Sequence, residues 1–361
     1  MARPGADSES SVRNSVPTVG ASNRPSVDDG APRLIGLLYR ILQASSQSAA
    51  NYASDGMAVA TLQGPRPDNQ DRVLIALLGS TDGNPHNNLA CFVVADGIAT
   101  LTNGAQCAAV AISAFIAAML AEQRLPIEQR ASTALAYANV QCFRRFKGRS
   151  GTTLSAAIIS STNLVIANAG DSRVYGISGG SQLERLTVDD SMNERLAGHA
   201  DIDPQYASSK GLLQYVGMGE GFSGSVDSHT APYEQLLLTS DGFNAVPIAV
   251  MTGILRNADA RRASQRLLNL ATWLGPVDNT TLAIARVSAA IEGASSLPRG
   301  ASHFITPTSA NYIYFTDFPG ELNSLAQARE RERTTGEDPK GAPREGESRQ
   351  HPAVQVEIQQ S

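Results

Sequence analysis

Short apolar runs separated by Gly, Asp and Asn dominate the middle of the chain, from about residue 50 to residue 290. The runs are rich in Val, Ile, Leu and Thr, and this pattern between turn-forming residues is typical of β-strands. In "NLVIANAGDSRVYGIS" two runs are joined by a short turn, which predicts an antiparallel hairpin. The pattern as a whole predicts strands at 57–62, 72–78, 89–95, 152–160, 163–169, 172–178, 234–240 and 280–287.

Helical periodicity occurs in separate stretches between groups of strands. Residues 104–122, "GAQCAAVAISAFIAAMLAE", are apolar on most faces, which predicts a buried helix. Residues 127–147 and 257–274 are amphipathic, and a short helix is predicted at 33–42. We expect Trp273 to lie in the core. Because the helices fall between groups of strands, the pattern favours an α+β layered domain over a doubly wound one.

The two ends of the chain lack this pattern. Residues 1–32 are rich in Ser, Pro, Gly, Asn and Asp, and residues 320–361 carry both charge signs without core positions, so we predict disorder for both. Residues 33–50 are predicted as a short helix and linker, and residues 51–290 as one folded domain. The extension at 291–319 could pack on the domain or bind a partner, and the sequence leaves both open.

Composition narrows the class of protein. With 361 residues, 42% of them hydrophobic, the chain can build a large core. A net charge of -5 argues against a nucleic-acid partner. Three cysteines without metal-ligand spacing are expected to be small core residues. We identify neither a secretory leader nor an apolar stretch of membrane-spanning length, so we predict a cytoplasmic protein without membrane contact, and we expect a monomer.

Acidic residues recur where predicted strands begin or end. "ACFVVADG" and "LLLTSDG" both stop at an Asp-Gly pair, which taken alone is ordinary turn chemistry. If such ends converge, two carboxylates about 4 Å apart repel by roughly 4 kcal/mol in a partly screened site. Mg²⁺ or Mn²⁺ would remove that cost with oxygen ligands alone. Five aspartates hold such positions: Asp71, Asp96, Asp171, Asp241 and Asp278.

Seven segments in chain order resemble the motifs of the type 2C, metal-dependent serine/threonine protein phosphatases (the PPM family). They are "RPDNQD", "VVADG", "SGTTLSAAII", "ANAGDSRVY", "LTVDDS", "LLLTSDG" and "DNTTLAI", and the resemblance covers about residues 56–287. The "NQD" triplet and the lack of His after Asp-Gly look bacterial. The resemblance implies a four-layer α-β-β-α sandwich, with two mainly antiparallel sheets flanked by helices.

The resemblance also implies an activity. It is the hydrolysis of phosphoserine and phosphothreonine in proteins by a water that bridges two divalent cations, Mn²⁺ or Mg²⁺, with a third ion left open. In that scheme Asp96 bridges the two ions and the carbonyl of Gly97 ligates one of them. Asp241 and Asp278 complete the first ion site.

Three further residues receive roles from the same resemblance. Asp71 would hold metal-bound water, and Asp171 would support a third ion. Arg66 would grip the substrate phosphate, so that Arg66, Asp71 and Asp96 form the implied catalytic set. The implied partners are phosphorylated proteins, and a cognate serine/threonine kinase that the enzyme opposes is a further candidate.

Departures from the family pattern keep an alternative open. Family members usually have His-Gly-Gly or Met-Gly-Gly after Asp-Gly, whereas this chain has Ile98, Ala99 and Thr100. Ala245 stands where another Asp is common, which weakens the third-ion site. The segment between "LTVDDS" and "LLQYVGMG" is short. The alternative is a catalytically weak pseudophosphatase that acts as a binding or scaffold module.

Overall fold

Two stacked antiparallel sheets with helices on both outer faces form the fold in the computed structural model. The structure describes residues 30–45, 49–54, 56–196, 211–230, 232–275, 277–308, 311–315 and 358–359. The predictions for residues 1–29 and for most of the 320–361 tail lie outside the described residues.

The strands are β1 (Ala49–Ser54), β2 (Met57–Leu62), β3 (Arg72–Leu78), β4 (Leu89–Ala95), β5 (Leu154–Ile159), β6 (Leu164–Ala169), β7 (Arg173–Ser178), β8 (Glu184–Arg185), β9 (Ser225–His229), β10 (Tyr233–Thr239), β11 (Thr280–Arg286), β12 (Ala301–Ile305), β13 (Asn311–Phe315) and β14 (Ile358–Gln359). The helices are α1 (Gly30–Ala44), α2 (Gly104–Ala121), α3 (Ile127–Phe146), α4 (Met192–Leu196), α5 (Ile248–Arg256), α6 (Ala260–Leu274) and α7 (Val287–Ser295). The order in the six-stranded sheet is β1-β2-β11-β10-β7-β8, and in the eight-stranded sheet it is β14-β13-β12-β3-β4-β5-β6-β9.

Strand β3 shows why the sequence produces these layers. Both faces of the strand are buried, so the side chains that point to either face are apolar from Val73 to Leu78. Leu74 and Leu78 pack into the cluster under α1, α2 and α3, whereas Val73 and Leu77 face the six-stranded sheet. On the far side, α5 and α6 cover the outer face of the six-stranded sheet. The predicted α-β-β-α sandwich is therefore confirmed.

The predicted strands and helices are present, with differences at their ends. Two differences concern the helix predicted at 257–274. The region predicted as one helix over 257–274 begins only at Ala260, because the Asp259 side chain caps it by accepting from the Arg262 amide at 2.8 Å. The prediction that Trp273 is a core residue is wrong, since its side chain is 82% exposed. The buried face of α6 carries Leu267 and Ala271 instead.

The prediction that no apolar stretch reaches membrane-spanning length is also wrong. Helix α2 is long and apolar enough by length and composition, and 83% of that segment is buried inside the domain. Its sides pack against α1, α3 and the eight-stranded sheet, which accounts for the absence of a polar face. All three cysteines are buried core residues, as predicted.

The described part of the 291–319 extension packs on the domain. Strand β12 pairs with β3, and β13 pairs with β12, so the extension widens the eight-stranded sheet. The sequence pattern did not show these strands because aromatic residues there are mixed with Pro and Gly.

Candidate active site

A cleft of about 710 Å³ opens where loops from the two sheets meet at one end of the sandwich. Strands β4 and β6 deliver residues to it from the eight-stranded sheet, and β10 and β11 deliver residues from the six-stranded sheet. The predicted site residues that line it are Arg66, Asp96, Gly97, Asp171, Asp241 and Asp278.

Asp96 and Gly97 form a tight turn directly after β4. The amide of Asp96 donates to the Thr153 hydroxyl at 2.9 Å, and its carbonyl accepts from the Thr152 hydroxyl at 2.8 Å. Gly97 forms an isolated bridge with Thr152. A Cβ atom on Gly97 would collide with the backbone of Gly104, the first residue of α2. Close packing of the loop against the helix therefore requires glycine here.

Asp71 does not line the cleft and lies buried behind it. Its Oδ2 accepts from the Ser240 hydroxyl at 2.7 Å, and Ser240 immediately precedes Asp241. Burial raises the pKa of Asp71 to about 7, the charges of Asp241 and Asp278 add to the rise, and hydrogen bonds from Ser240 and Thr281 oppose it. The geometry gives Asp71 a place from which it holds the Asp241 loop.

Asp171 reaches the cleft from the turn between β6 and β7. The turn depends on Gly170, whose φ of +106° is a left-handed conformation that glycine adopts without strain. Burial raises the pKa of Asp171 to about 7, and the charges of Asp241 and Asp189 act in the same direction. Asp171 therefore shares the electrostatic environment of the other cleft acids.

Asp189 and Asp190 support the turn that carries Asp171. Asp189 forms an ion pair with Arg173 at 2.7 Å. Asp190 accepts from the Gly170 amide at 3.1 Å, which fixes the turn. The Ser191 hydroxyl accepts from the Glu194 amide at the start of the following helix.

Arg66 and Asp278 form an ion pair in the wall of the cleft. The Nη2 atom of Arg66 donates to Oδ2 of Asp278 at 2.5 Å, with 40% and 24% of the two side chains exposed. This ion pair raises the pKa of Arg66, with further contributions from Asp241 and Asp96. The predicted phosphate-binding group is therefore in the cleft, where an aspartate holds it.

Asn279, which the sequence reasoning missed, ties the arginine loop to β11. Its side-chain oxygen accepts from the Gln70 amide at 2.8 Å. Its amide nitrogen donates to the carbonyls of Gln63 at 2.7 Å and Asp68 at 3.0 Å. Only its place beside Asp278 in "VDNTT" could have drawn attention to it. Asn279 fixes the position of the loop that carries Arg66.

Mutual repulsion among the acids is the main electrostatic feature of the cleft. Withdrawal from water raises the pKa of Asp96 well above its usual range, and the charges of Asp71, Asp241, Asp171 and Asp278 raise it further. The negative charge of these carboxylates is balanced only in part by Arg66. Carboxylate oxygens are the donors that Mg²⁺ and Mn²⁺ prefer, so the chemistry of the set fits divalent cations.

As the described residues stand, no three His, Cys, Asp or Glu side chains are close enough together to hold one ion. Oδ2 of Asp278 accepts from Arg66, and its Oδ1 accepts from the Asn279 amide at 2.9 Å. A cation at Oδ2 would therefore share this oxygen with Arg66 or displace the guanidinium.

The departures from the family pattern fall in different places. Ile98, Ala99 and Thr100 line the cleft directly, next to Asp96. Ala245 does not line the cleft and instead lines a smaller neighbouring pocket. The short segment after "LTVDDS" includes residues 197–210, which lie outside the part of the chain that the structure describes.

Comparisons with known proteins agree with the motifs. Residues 70–196 match the family described as Protein phosphatase 2C. The serine/threonine phosphatase stp of Listeria welshimeri is 34% identical over 141 residues, which cover 37% of this chain and 55% of that protein. The match thus spans only about half of the length of that curated relative.

Solved structures share the fold. The PPM Ser-Thr phosphatase MsPP from Mycobacterium smegmatis, in complex with cacodylate, is 28% identical with a TM-score of 0.52, over 63% of this chain and 97% of that chain. The catalytic domain of the phosphatase PstP, in complex with two manganese ions, is 22% identical with a TM-score of 0.53, over 66% of this chain and 98% of that chain. Residues 70–196 are therefore similar to the protein phosphatase 2C family, and the fold is shared with the solved PPM phosphatases.

Proposed function

We propose that this chain is a protein serine/threonine phosphatase that hydrolyses phosphoserine and phosphothreonine with two divalent cations, Mn²⁺ or Mg²⁺. One observation carries the proposal: Asp96, Asp171, Asp241 and Asp278, from four distant segments, line a single cleft together with Arg66 and Asp68. The name of the Listeria relative supports the activity, and the manganese ions of the PstP structure support the cofactor. Its substrates would be phosphoproteins, and a serine/threonine kinase that it opposes is a candidate partner.

Asp96, Asp241 and Asp278, with the Gly97 carbonyl, are the residues that would hold the cations, and Asp171 is the candidate for a third. When bound, the cations supply positive charge for the phosphoryl oxygens and lower the pKa of the attacking water. Asp71 orients the site from behind through Ser240, at 2.7 Å.

Arg66 would bind the phosphate. Its guanidinium can donate two parallel hydrogen bonds to phosphoryl oxygens, which a lysine cannot do. The donor that now contacts Asp278 becomes available when a cation occupies that carboxylate. Charge on the phosphoryl oxygens is then balanced by fixed positive groups, which is the main requirement of phosphoryl transfer.

The test is turnover of p-nitrophenyl phosphate and of a phosphothreonine peptide with millimolar Mn²⁺. We expect hydrolysis that EDTA abolishes, and a loss of at least about a hundredfold in kcat for Asp96→Asn. Asp259→Asn is the matched control, because Asp259 lies on the surface at the start of α6 and Asn caps helices as well as Asp does. Equal activity of Asp96→Asn and the control would contradict the proposal.

The pseudophosphatase alternative rests on a different observation. Ile98, Ala99 and Thr100 line the cleft where the family usually has small or proton-donating residues, and Arg66 is held by Asp278. If calorimetry shows Mn²⁺ binding that Asp96→Asn removes, but neither substrate is turned over, the binding module is the better description.

A further inference from the structure

A second pocket of about 340 Å³ lies next to the catalytic cleft, and we call it the side pocket. Asp241 and Asp278 belong to the walls of both the cleft and the side pocket. The rest of its wall is largely apolar, from the loop after β10 and the end of α6: Ala245, Val246, Ala271, Leu274 and Val277.

Apolar side chains around the side pocket face water. Leu274 is 43% exposed and Val277 is 75% exposed. Single exposed apolar residues are common, but a group of them at the rim of a concave pocket marks a binding surface. The volume is near the lower end for ligand pockets, which are about 300–1,000 Å³, and suits a side chain better than a whole cofactor.

Position 245 keeps the pocket open. Ala245 is exposed and lines the pocket, so a longer side chain there would project into the space that the pocket now offers.

Asp241 and Asp278 separate the side pocket from the cleft, so a group in the side pocket lies close to a group bound in the cleft. A phosphoserine or phosphothreonine whose phosphate lies in the cleft is next to Asp241 and Asp278. Extended peptide advances about 3.3–3.6 Å per residue, so the side chain one or two positions away reaches across these two aspartates. An apolar side chain there would be removed from water by the apolar part of the wall.

We propose that the side pocket binds an apolar side chain that flanks the phosphorylated residue of the substrate protein, and so sets the sequence preference of the enzyme. The proposal rests on the proposed phosphatase function. It assigns Ala245, Leu274 and Val277 as specificity residues, while the chemistry stays with the cleft acids.

The experiment measures kcat/KM of the full chain on phosphothreonine peptides that carry one Leu at each position from two before to two after the phosphothreonine, in an otherwise Ala and Ser background. We expect one position at which Leu raises kcat/KM about tenfold over Ala, as burial of a leucine side chain predicts. Neither Asp nor Lys at that position should give an advantage over Ala, because most of the pocket wall is apolar.

Pocket variants then locate the preference. Leu274→Glu and Ala245→Leu should bring the Leu-to-Ala ratio of kcat/KM close to one, the first by adding charge and the second by filling the space. Val250→Glu is the matched control, because Val250 is 42% exposed on α5 and lines neither the cleft nor the side pocket. The control should keep the wild-type ratio. Because each ratio is taken within one enzyme, a general loss of activity does not affect it.

The outcomes separate the two proposals. If p-nitrophenyl phosphate and all peptides remain intact, the phosphatase function fails. If the peptides are hydrolysed with equal kcat/KM, the specificity inference alone is overturned, whether the pocket is empty or covered by a terminal segment or a second copy. A preference for Lys, or a Leu preference that survives both pocket variants, overturns it as well.

Discussion

Individual residues around the cleft divide into acids that face it and groups that hold those acids in place. The sequence identified the acids, because an aspartate at the end of an apolar run is visible locally. It missed Ser240 and Asn279, whose partners Asp71 and Gln70 lie 169 and 209 positions away. A contact of this kind is created by the fold and leaves no local pattern.

If Asp278 binds a cation as proposed, Arg66 would compete with that cation for Oδ2, which gives a prediction at the residue scale. Arg66→Ala should tighten Mn²⁺ binding, because the carboxylate no longer has to leave the guanidinium. Since Arg66 is 40% exposed, the pair is worth at most about 1 kcal/mol, so the gain should be about two- to fivefold. Titration calorimetry measures it, and KM for phosphate esters should rise in the same variant.

Arg262→Ala is the control for this prediction, since Arg262 pairs with Asp259 on the surface and does not line the cleft. Unchanged or weaker Mn²⁺ affinity in Arg66→Ala would show that the ion pair does not compete with the cation.

Secondary-structure elements could be predicted where an element is buried on both faces, or where its apolar side chains lie on one face. Strands β3 and β4 are apolar at every position except Arg72, and the sequence located both. Helix α6 was located as well, but Trp273 was assigned to the wrong side, because bulk and hydrophobicity alone do not fix which stripe faces the sheet. Side-chain hydrogen bonds that join distant elements, as at Asn279, leave no pattern in the sequence.

Asn279→Ala tests the connection between the arginine loop and β11. Three part-buried hydrogen bonds are lost, so the free energy of unfolding should fall by about 2–3 kcal/mol. Urea denaturation measures the change. Asn257→Ala, at an exposed helix end with one side-chain bond, should cost less than half as much. Equal costs would mean that the loop is held by other contacts.

At the scale of the whole molecule, the cleft acids lie where the two sheets meet, so the stability of the sandwich depends on their charge. Burial raises the pKa values of Asp71 and Asp171 to about 7, whereas both are near 3.8 when unfolded. The contribution of these two carboxyl groups to the free energy of unfolding is complete below the pKa of the unfolded state. It is lost as pH rises through the pKa of the folded state. Between about pH 4 and pH 7 the metal-free domain should therefore become less stable.

Mn²⁺ should reverse this trend, because it binds the ionised carboxylates. We expect the rise in Tm caused by Mn²⁺ to be larger at pH 8 than at pH 5, measured by calorimetry against EDTA. Asp71→Asn and Asp171→Asn should each flatten the pH dependence in EDTA. A pH-independent difference between Mn²⁺ and EDTA would contradict the electrostatic account.

The contact between Gly97 and Gly104 determines which wall of the cleft can adapt. Because the turn after β4 rests on the backbone of α2, and α2 is wedged among α1, α3 and a sheet, this wall is as rigid as the core itself. Substrates of different shape must be accommodated by more exposed loops of the cleft, such as the one that carries Arg66 and Pro67. Enlarging the range of substrates by mutation should therefore begin on those loops.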